Sequence, residues 1–169
     1  KGCRPIVYTG LVVSQDPKVI FGPFSLSPWE LTNLIDTAKK DAIDTRLSWI
    51  HVAVLSLYTG SHYRKLNMLL RNEGNEGEVP KYAHYLVHLT NALRILEKLP
   101  RHEATVYRGT GFFKLNIQQE DTLVFQAPTS ASKSIHVANS FMESKGIFFV
   151  IKTLTAASIE NFSLFKNEK

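Results

Sequence analysis

The spacing of apolar residues changes character once along this chain, near Pro100. Before that point apolar residues recur at helical intervals; after it they fall into short β-branched and aromatic runs broken by Gly and Ser. Ser27-Pro28-Trp29-Glu30 has the form of a helix start, with Ser at the N-cap, Pro at N1 and Glu at N3. The helix it opens places Leu31, Leu34, Ile35 and Ala38 on one face, and Lys39, Lys40 and Asp41 on another. A second helix is predicted over 46–58, with Trp49, Val52, Ala53 and Leu57 as its apolar stripe and Gly60 as its stop. A third is predicted over 61–71, carrying Tyr63, Leu66, Met68, Leu69 and Leu70. Residues 72–80 read as a polar loop, and 81–99 as the longest helix, with Leu86, Leu89, Leu93 and Leu96 in near-helical spacing. Ahead of all these, 5–13 and 18–21 predict a strand pair or an extended arm, with its turn at 14–17.

Beyond Pro100 the pattern predicts strands at 105–107, 122–126, 147–152 and 162–165, interrupted by one helical stretch at 133–144. Helices first and strands later indicate an α+β fold, a helical lobe beside a mostly antiparallel β core. The expected organisation is a single domain over 1–169: strands or an arm at 1–27, a helical lobe at 28–100 and a β-rich core at 101–169.

Composition narrows the function classes. With 44% hydrophobic and 21% charged residues in 169, the chain has an ordinary globular make-up and enough length for one core. No apolar run approaches the roughly 20 residues that span a bilayer, so no transmembrane segment is expected. The single cysteine, Cys3, excludes an internal disulfide framework and a cysteine-based metal site, and tilts the setting toward a reducing compartment. A net charge of +5 is spread over the chain without a dense basic stripe, which argues against nucleic acid and leaves a preference for anionic ligands. His84 and His88 stand at i, i+4, the spacing of a metal pair, but neither a third ligand nor the Glu of an HExxH motif accompanies them. They are expected to be structural, and no metal is expected.

Three stretches carry candidate chemistry. Val106-Tyr107-Arg108-Gly109-Thr110-Gly111 reads as a strand that delivers an arginine to a sharp break. The planar guanidinium suits bidentate capture of phosphate, and the adjacent glycines let a ligand approach the backbone; an internal carboxylate partner is the plainer alternative. Ala127-Pro128-Thr129-Ser130-Ala131-Ser132 puts two hydroxyls on one face of an extended segment, able to bond a ribose or orient a carboxylate. Ser132 is also placed to cap the helix that follows. Last, 162–169, Phe-Ser-Leu-Phe-Lys-Asn-Glu-Lys, is an aromatic run leading into a polar turn with a carboxylate, Glu168.

Strand-Arg-Gly, then Ser-x-Ser 22 residues on, then aromatic-Ser-x-Phe-x-x-Glu resembles the Arg–Ser–Glu mono-ADP-ribosyltransferases, most of all their arginine-directed ecto-enzyme type. The resemblance extends to Leu55-Ser-Leu-Tyr-Thr-Gly, to Tyr63-Arg-Lys-Leu-Asn67 and to Tyr85, Leu86, Leu89, Ala92 and Leu93, covering roughly 45–169. It implies an ADP-ribosyltransferase-like fold, a helical lobe packed on a mostly antiparallel two-sheet core. It also implies NAD as co-substrate without a metal, and a protein substrate with an exposed arginine. Carried over by position, Arg108 would grip the phosphates and ribose of NAD, and Ser130 would shape the nicotinamide-ribose pocket with Ser132 in support. Phe141 would stack on the nicotinamide, and Gly109 would lie close to its amide. Glu168 would be the first carboxylate of the family's Glu-x-Glu turn, the one linked with choosing arginine.

The second glutamate of that turn, the catalytic one, would follow Lys169, so the sequence is expected to be a fragment ending one residue short of it. Pro128 stands where the family usually has an aromatic or aliphatic residue. The paired cysteines of the vertebrate ecto-enzymes are missing, which points to an intracellular, protist or bacterial-type relative. Two rival readings share the same residues: an NAD glycohydrolase, and a catalytically inactive binding module of this fold within a larger protein assembly.

Overall fold

The computed structural model describes residues 12–43, 45–71, 76–97, 104–111, 118–125, 127–154 and 156–163. They fall into two compact units, one formed by 1–99 with 157–164 and the other by 100–156 with 165–169.

The first unit is helical. Helix α1, Pro17–Phe21, occupies residues that read as a strand in the sequence. The Asp16 side chain accepts from the Lys18 N–H, and Pro17 stands in the first turn, where its missing N–H costs nothing. Burial of Ile20 and Phe21 then outweighs the β-preference of a run this short. Helix α2, Pro28–Asp41, opens with the expected capping box. The Glu30 N–H donates to Ser27 Oγ at 3.2 Å, and Glu30 Oε2 accepts from the Ser27 N–H at 2.8 Å. Those bonds, the Ser27 hydroxyl foremost, hold the Glu30 carboxyl below its ordinary pKa.

Helix α3, Trp49–Thr59, is nearly all buried from Ile50 to Tyr58 and lies within the core; helix α4, Tyr63–Leu70, follows it. The described part of the predicted loop 72–80 is not irregular: Glu76–Tyr82 forms a 3-10 helix. Tyr82 is buried there and donates its hydroxyl to the Pro23 carbonyl at 3.2 Å. The long helix therefore starts later than its periodicity predicts, as α5, Ala83–Glu97. The Tyr85 hydroxyl donates to the Val54 carbonyl at 2.8 Å, which ties α5 to α3, and full burial drives its pKa well up. Phe24 stands edge-on to Tyr82 and Tyr85, at ring-centre distances of 5.2 and 4.7 Å.

Phe162 also departs from its predicted place. The sequence puts it at the head of a strand; it ends a 3-10 turn, Glu160–Phe162, and is buried in the helical core. The remainder of that predicted strand lies outside the described residues.

The second unit holds strands β1, Ala104–Gly109, and β2, Phe148–Thr153, paired antiparallel from Ala104 opposite Thr153 to Gly109 opposite Phe148. Both lie where the sequence predicts strands. On its other edge β1 exchanges two bonds with Ser132, Tyr107 N to Ser132 O at 2.7 Å and Ser132 N to Tyr107 O at 2.8 Å. Helix α6, Ile135–Ser140, is shorter than the predicted 133–144 because its N-cap is Ser134, which accepts from the Val137 N–H. The strand predicted at 122–126 does not form over its described residues 122–125. Those side chains stay exposed, and Phe125 meets β2 through an edge-on ring contact with Phe149 at 5.8 Å. The architecture is mixed helix and strand, with a small antiparallel sheet in the second unit. Among the described residues no helix is long and apolar enough to cross a membrane.

Candidate functional site

Tyr107 and Ser132 bond each other as neighbouring strands do, and this sets the site. With those two residues locked, Arg108 follows on one chain and Ser130 precedes on the other. The guanidinium Nη1 then donates to the Ser130 carbonyl at 2.5 Å and approaches Ser130 Oγ at 3.4 Å. Arg108 is half-buried at the end of β1, whereas Ser130 is exposed. A guanidinium held this way keeps its planar fork in one orientation at a solvent-open edge, the arrangement suited to a phosphate.

Ser132 contributes through its backbone and through a turn. Its Oγ accepts from the Ser134 N–H at 3.0 Å, and Ser134 in turn caps α6. The expectation that Ser132 caps the helix is therefore off by two residues: it braces the residue that does. Phe141 is the C-cap of α6, its side chain 44% exposed, which leaves a ring face open to a ligand. Gly109 lies under the same helix; a Cβ built on it would stand 2.1 Å from the Ala138 carbonyl oxygen and 3.0 Å from the Met142 nitrogen.

Arg108, Gly109, Ser130, Ser132 and Phe141 thus all belong to the strand unit, on β1 and the segments bonded or packed against it. Glu168 lies outside the described residues. A shallow depression of about 360 Å³ opens beside the helix, lined by Ile135, His136, Asn139, Met142 and Phe148. The sequence reading did not single these out. The signal was the helical spacing of Ile135, Asn139 and Met142, which leaves apolar groups on the open side of a helix too short to hide them.

The histidine pair is spent elsewhere, in the helical unit. His84 Nδ1 accepts from the Ser14 N–H at 3.1 Å, and His88 Nε2 bonds the Ser14 carbonyl at 2.9 Å, so the i, i+4 spacing grips one residue's peptide groups. Among the described residues no group of three potential ligands could hold a metal ion.

Comparison with known proteins bears on the family and the fold. The family described as NAD:arginine ADP-ribosyltransferase matches residues 29–169. T-cell ecto-ADP-ribosyltransferase 1 of Rattus norvegicus is 32% identical over 122 residues, which are 70% of this chain and 43% of that protein. The chain thus spans less than half the length of that relative. The crystal structure of the eucaryotic mono-ADP-ribosyltransferase ART2.2 superposes with a TM-score of 0.69 at 27% identity, covering 90% of this chain and 71% of that one. A variant of ART2.2 in complex with NAD gives a TM-score of 0.68 at the same identity and coverage. Exoenzyme S of Pseudomonas aeruginosa, at 17% identity, shares the fold with a TM-score of 0.69 over 90% of this chain and 72% of its own. With the family match running from helix α2 through the arginine strand to the last residue, this chain belongs to the NAD:arginine ADP-ribosyltransferase family.

Proposed function

We propose that this chain is the NAD-binding part of a protein-arginine mono-ADP-ribosyltransferase, which moves ADP-ribose from NAD to a guanidinium nitrogen and releases nicotinamide. The observation that carries the reading is the Arg108–Ser130 contact at the open end of β1. Arg108 binds the phosphates of NAD with its fork, a charge-assisted contact worth about 1.5–3 kcal/mol per bond. The Ser130 hydroxyl, exposed beside that fork, faces the nicotinamide ribose, and Ser132 supports it through the turn at α6. Phe141 covers the nicotinamide ring. Gly109, with no side chain, keeps the strand backbone close to the nicotinamide amide.

The chemistry suits these groups. Cleavage of the nicotinamide–ribose bond builds positive charge on the ribose carbon, and a carboxylate placed beside it stabilises that oxocarbenium-like state. Nicotinamide leaves as a neutral molecule, so no metal is required. Glu168 is assigned to the acceptor, holding the incoming guanidinium by a bidentate pair.

Nicotinamide release by the full-length protein, with and without agmatine as a small guanidinium acceptor, tests this reading. Release that rises with agmatine, with ADP-ribose recovered on agmatine, supports it. Release indifferent to agmatine and to arginine-bearing protein alike, with free ADP-ribose as the product, would instead mark a glycohydrolase. NAD binding without release would mark an inactive module, and either result overturns the transferase assignment.

A further inference from the structure

The glycines around Arg108 do more than admit a ligand, because the sides on which a Cβ would stand are already occupied. A Cβ on Gly146 would lie 2.0 Å from the Thr110 carbonyl oxygen and 3.0 Å from the Glu143 carbonyl oxygen. On Gly109 it would meet the Ala138 carbonyl at 2.1 Å, and on Gly111 the Glu143 carboxylate at about 3.0 Å. None of the three has a left-handed backbone, so space alone reserves these positions for glycine. Gly22 is the contrast within the same chain, with nothing inside 4 Å of its missing Cβ.

The three close approaches join the same two stretches. The Thr110 N–H and Oγ1 donate to the Ile147 carbonyl at 3.0 and 3.2 Å, and the Gly146 N–H closes the preceding turn on the Glu143 carbonyl at 2.8 Å. Residues 109–111 and 138–147 are therefore seated on each other, backbone to backbone. Backbone cannot change rotamer to make room. Ordinary contact begins near 3.4 Å, so an alanine at 146 would push the turn and the strand end apart by roughly 1 Å or more.

We propose that Gly146, with Gly109, is a positioning residue. Their missing side chains seat the α6–β2 connection on the end of β1, and that seat fixes where Arg108 presents its guanidinium. Arg108 lies two residues before Thr110, which directly follows β1, and its Nη1 bond to Ser130 tolerates little displacement. A misplacement of about 1 Å in a reacting constellation costs on the order of a hundredfold. The functional half of this proposal rests on Arg108 being the NAD ligand; the structural half does not.

The test compares Gly146→Ala, Gly111→Ala and Gly22→Ala in the full chain, by NMR of the Arg108 guanidinium resonance and by calorimetric NAD affinity. The expected outcome for a folded Gly146→Ala is a shifted Arg108 resonance and NAD affinity weakened about tenfold or more. Gly22→Ala should leave both as in the wild type, and Gly111→Ala should fall between, because the Glu143 side chain can swing aside. A folded Gly146→Ala with wild-type resonance and affinity overturns the proposal. If the wild type itself binds no NAD, the assignment of Arg108 fails, and the resonance alone judges the seat. If Gly146→Ala does not fold, amide exchange in the wild type decides. Thr110 and Gly146 exchanging at the rate of Tyr107 and Ser132 supports a single seat; exchange a hundredfold faster overturns it.

Discussion

The two units treat their apolar residues in opposite ways. In the helical unit Ile20, Val52, Ala53, Val54, Leu55 and Ala92 are completely buried, and even the polar groups that go inside, such as the Tyr85 hydroxyl, find a partner. Among the described residues of the strand unit the buried apolar ones are small, Ala127 and Ala138, while Val124 and Val150 remain more than 60% exposed and Phe141 and Met142 about 40%. A core of large, fully buried side chains contributes about 1.5–3 kcal/mol for each. A sheet that leaves such groups in water gains far less and keeps a surface that can still accept a ligand. Stability and chemistry are therefore expected to reside in different parts of the chain, and substitutions should separate them.

Leu55→Ala has the largest expected effect. Truncating a side chain with no exposure leaves a cavity and should destabilise the protein by about 2–5 kcal/mol. Urea denaturation measures that loss, and NAD affinity well below the melting temperature should not change. Weakened NAD binding in the still-folded variant would break the separation. Arg108→Ala is the converse. Removing a charge-assisted phosphate contact of about 1.5–3 kcal/mol should weaken NAD binding tenfold to more than a hundredfold, with little change in urea midpoint. Unchanged calorimetric affinity would remove Arg108 from the pocket. Tyr85→Phe sharpens the picture within the helical unit, since it keeps the ring and removes the hydroxyl's bond to the Val54 carbonyl, which lies within helix α3. A loss of about 1–2 kcal/mol is expected, read as a lowered urea midpoint with nicotinamide release unaffected.

Legibility in the sequence follows the same division. Helices α2 and α3 and the strands β1 and β2 stand where periodicity put them, because their burial pattern is local information. The helix at Pro17–Phe21 was misread although its start, Asp16 before Pro17, is a helix signature; the β-branched Val19 and Ile20 hid it. Phe162 was misassigned for a different reason. Its partners belong to the helical core more than 100 residues earlier, as the 3.4 Å bond from Thr59 Oγ1 to its carbonyl shows, and no window along the chain contains that contact. In the site, Arg108 and Ser130 were legible by residue type, but the pairing of Tyr107 with Ser132 that joins them is a non-local bond between a strand and an irregular segment. The glycines were legible as special positions. What occupies the space beside them was not.

The smallest expected effect concerns pH and His51. At the start of α3 its Nδ1 accepts from the Ser48 N–H at 3.4 Å, and its ring centre lies 6.0 Å from that of the buried His88. An imidazole that accepts at Nδ1 and donates nothing there must be unprotonated at that atom. Burial first, and the neighbouring His88 second, push the His51 pKa below its ordinary 6.5. The unfolded chain therefore binds a proton more readily than the folded one in the window beneath that value. Stability is full above the ordinary value and falls as pH drops through the window toward the lowered folded value. The melting temperature should decline between about pH 7 and pH 5 as imidazole titrates, and His51→Asn, which carries no titrating group, should flatten that decline. A pH profile as steep in the variant as in the wild type would assign the acid sensitivity elsewhere, and nicotinamide release per folded molecule should follow neither curve if the two units divide their roles.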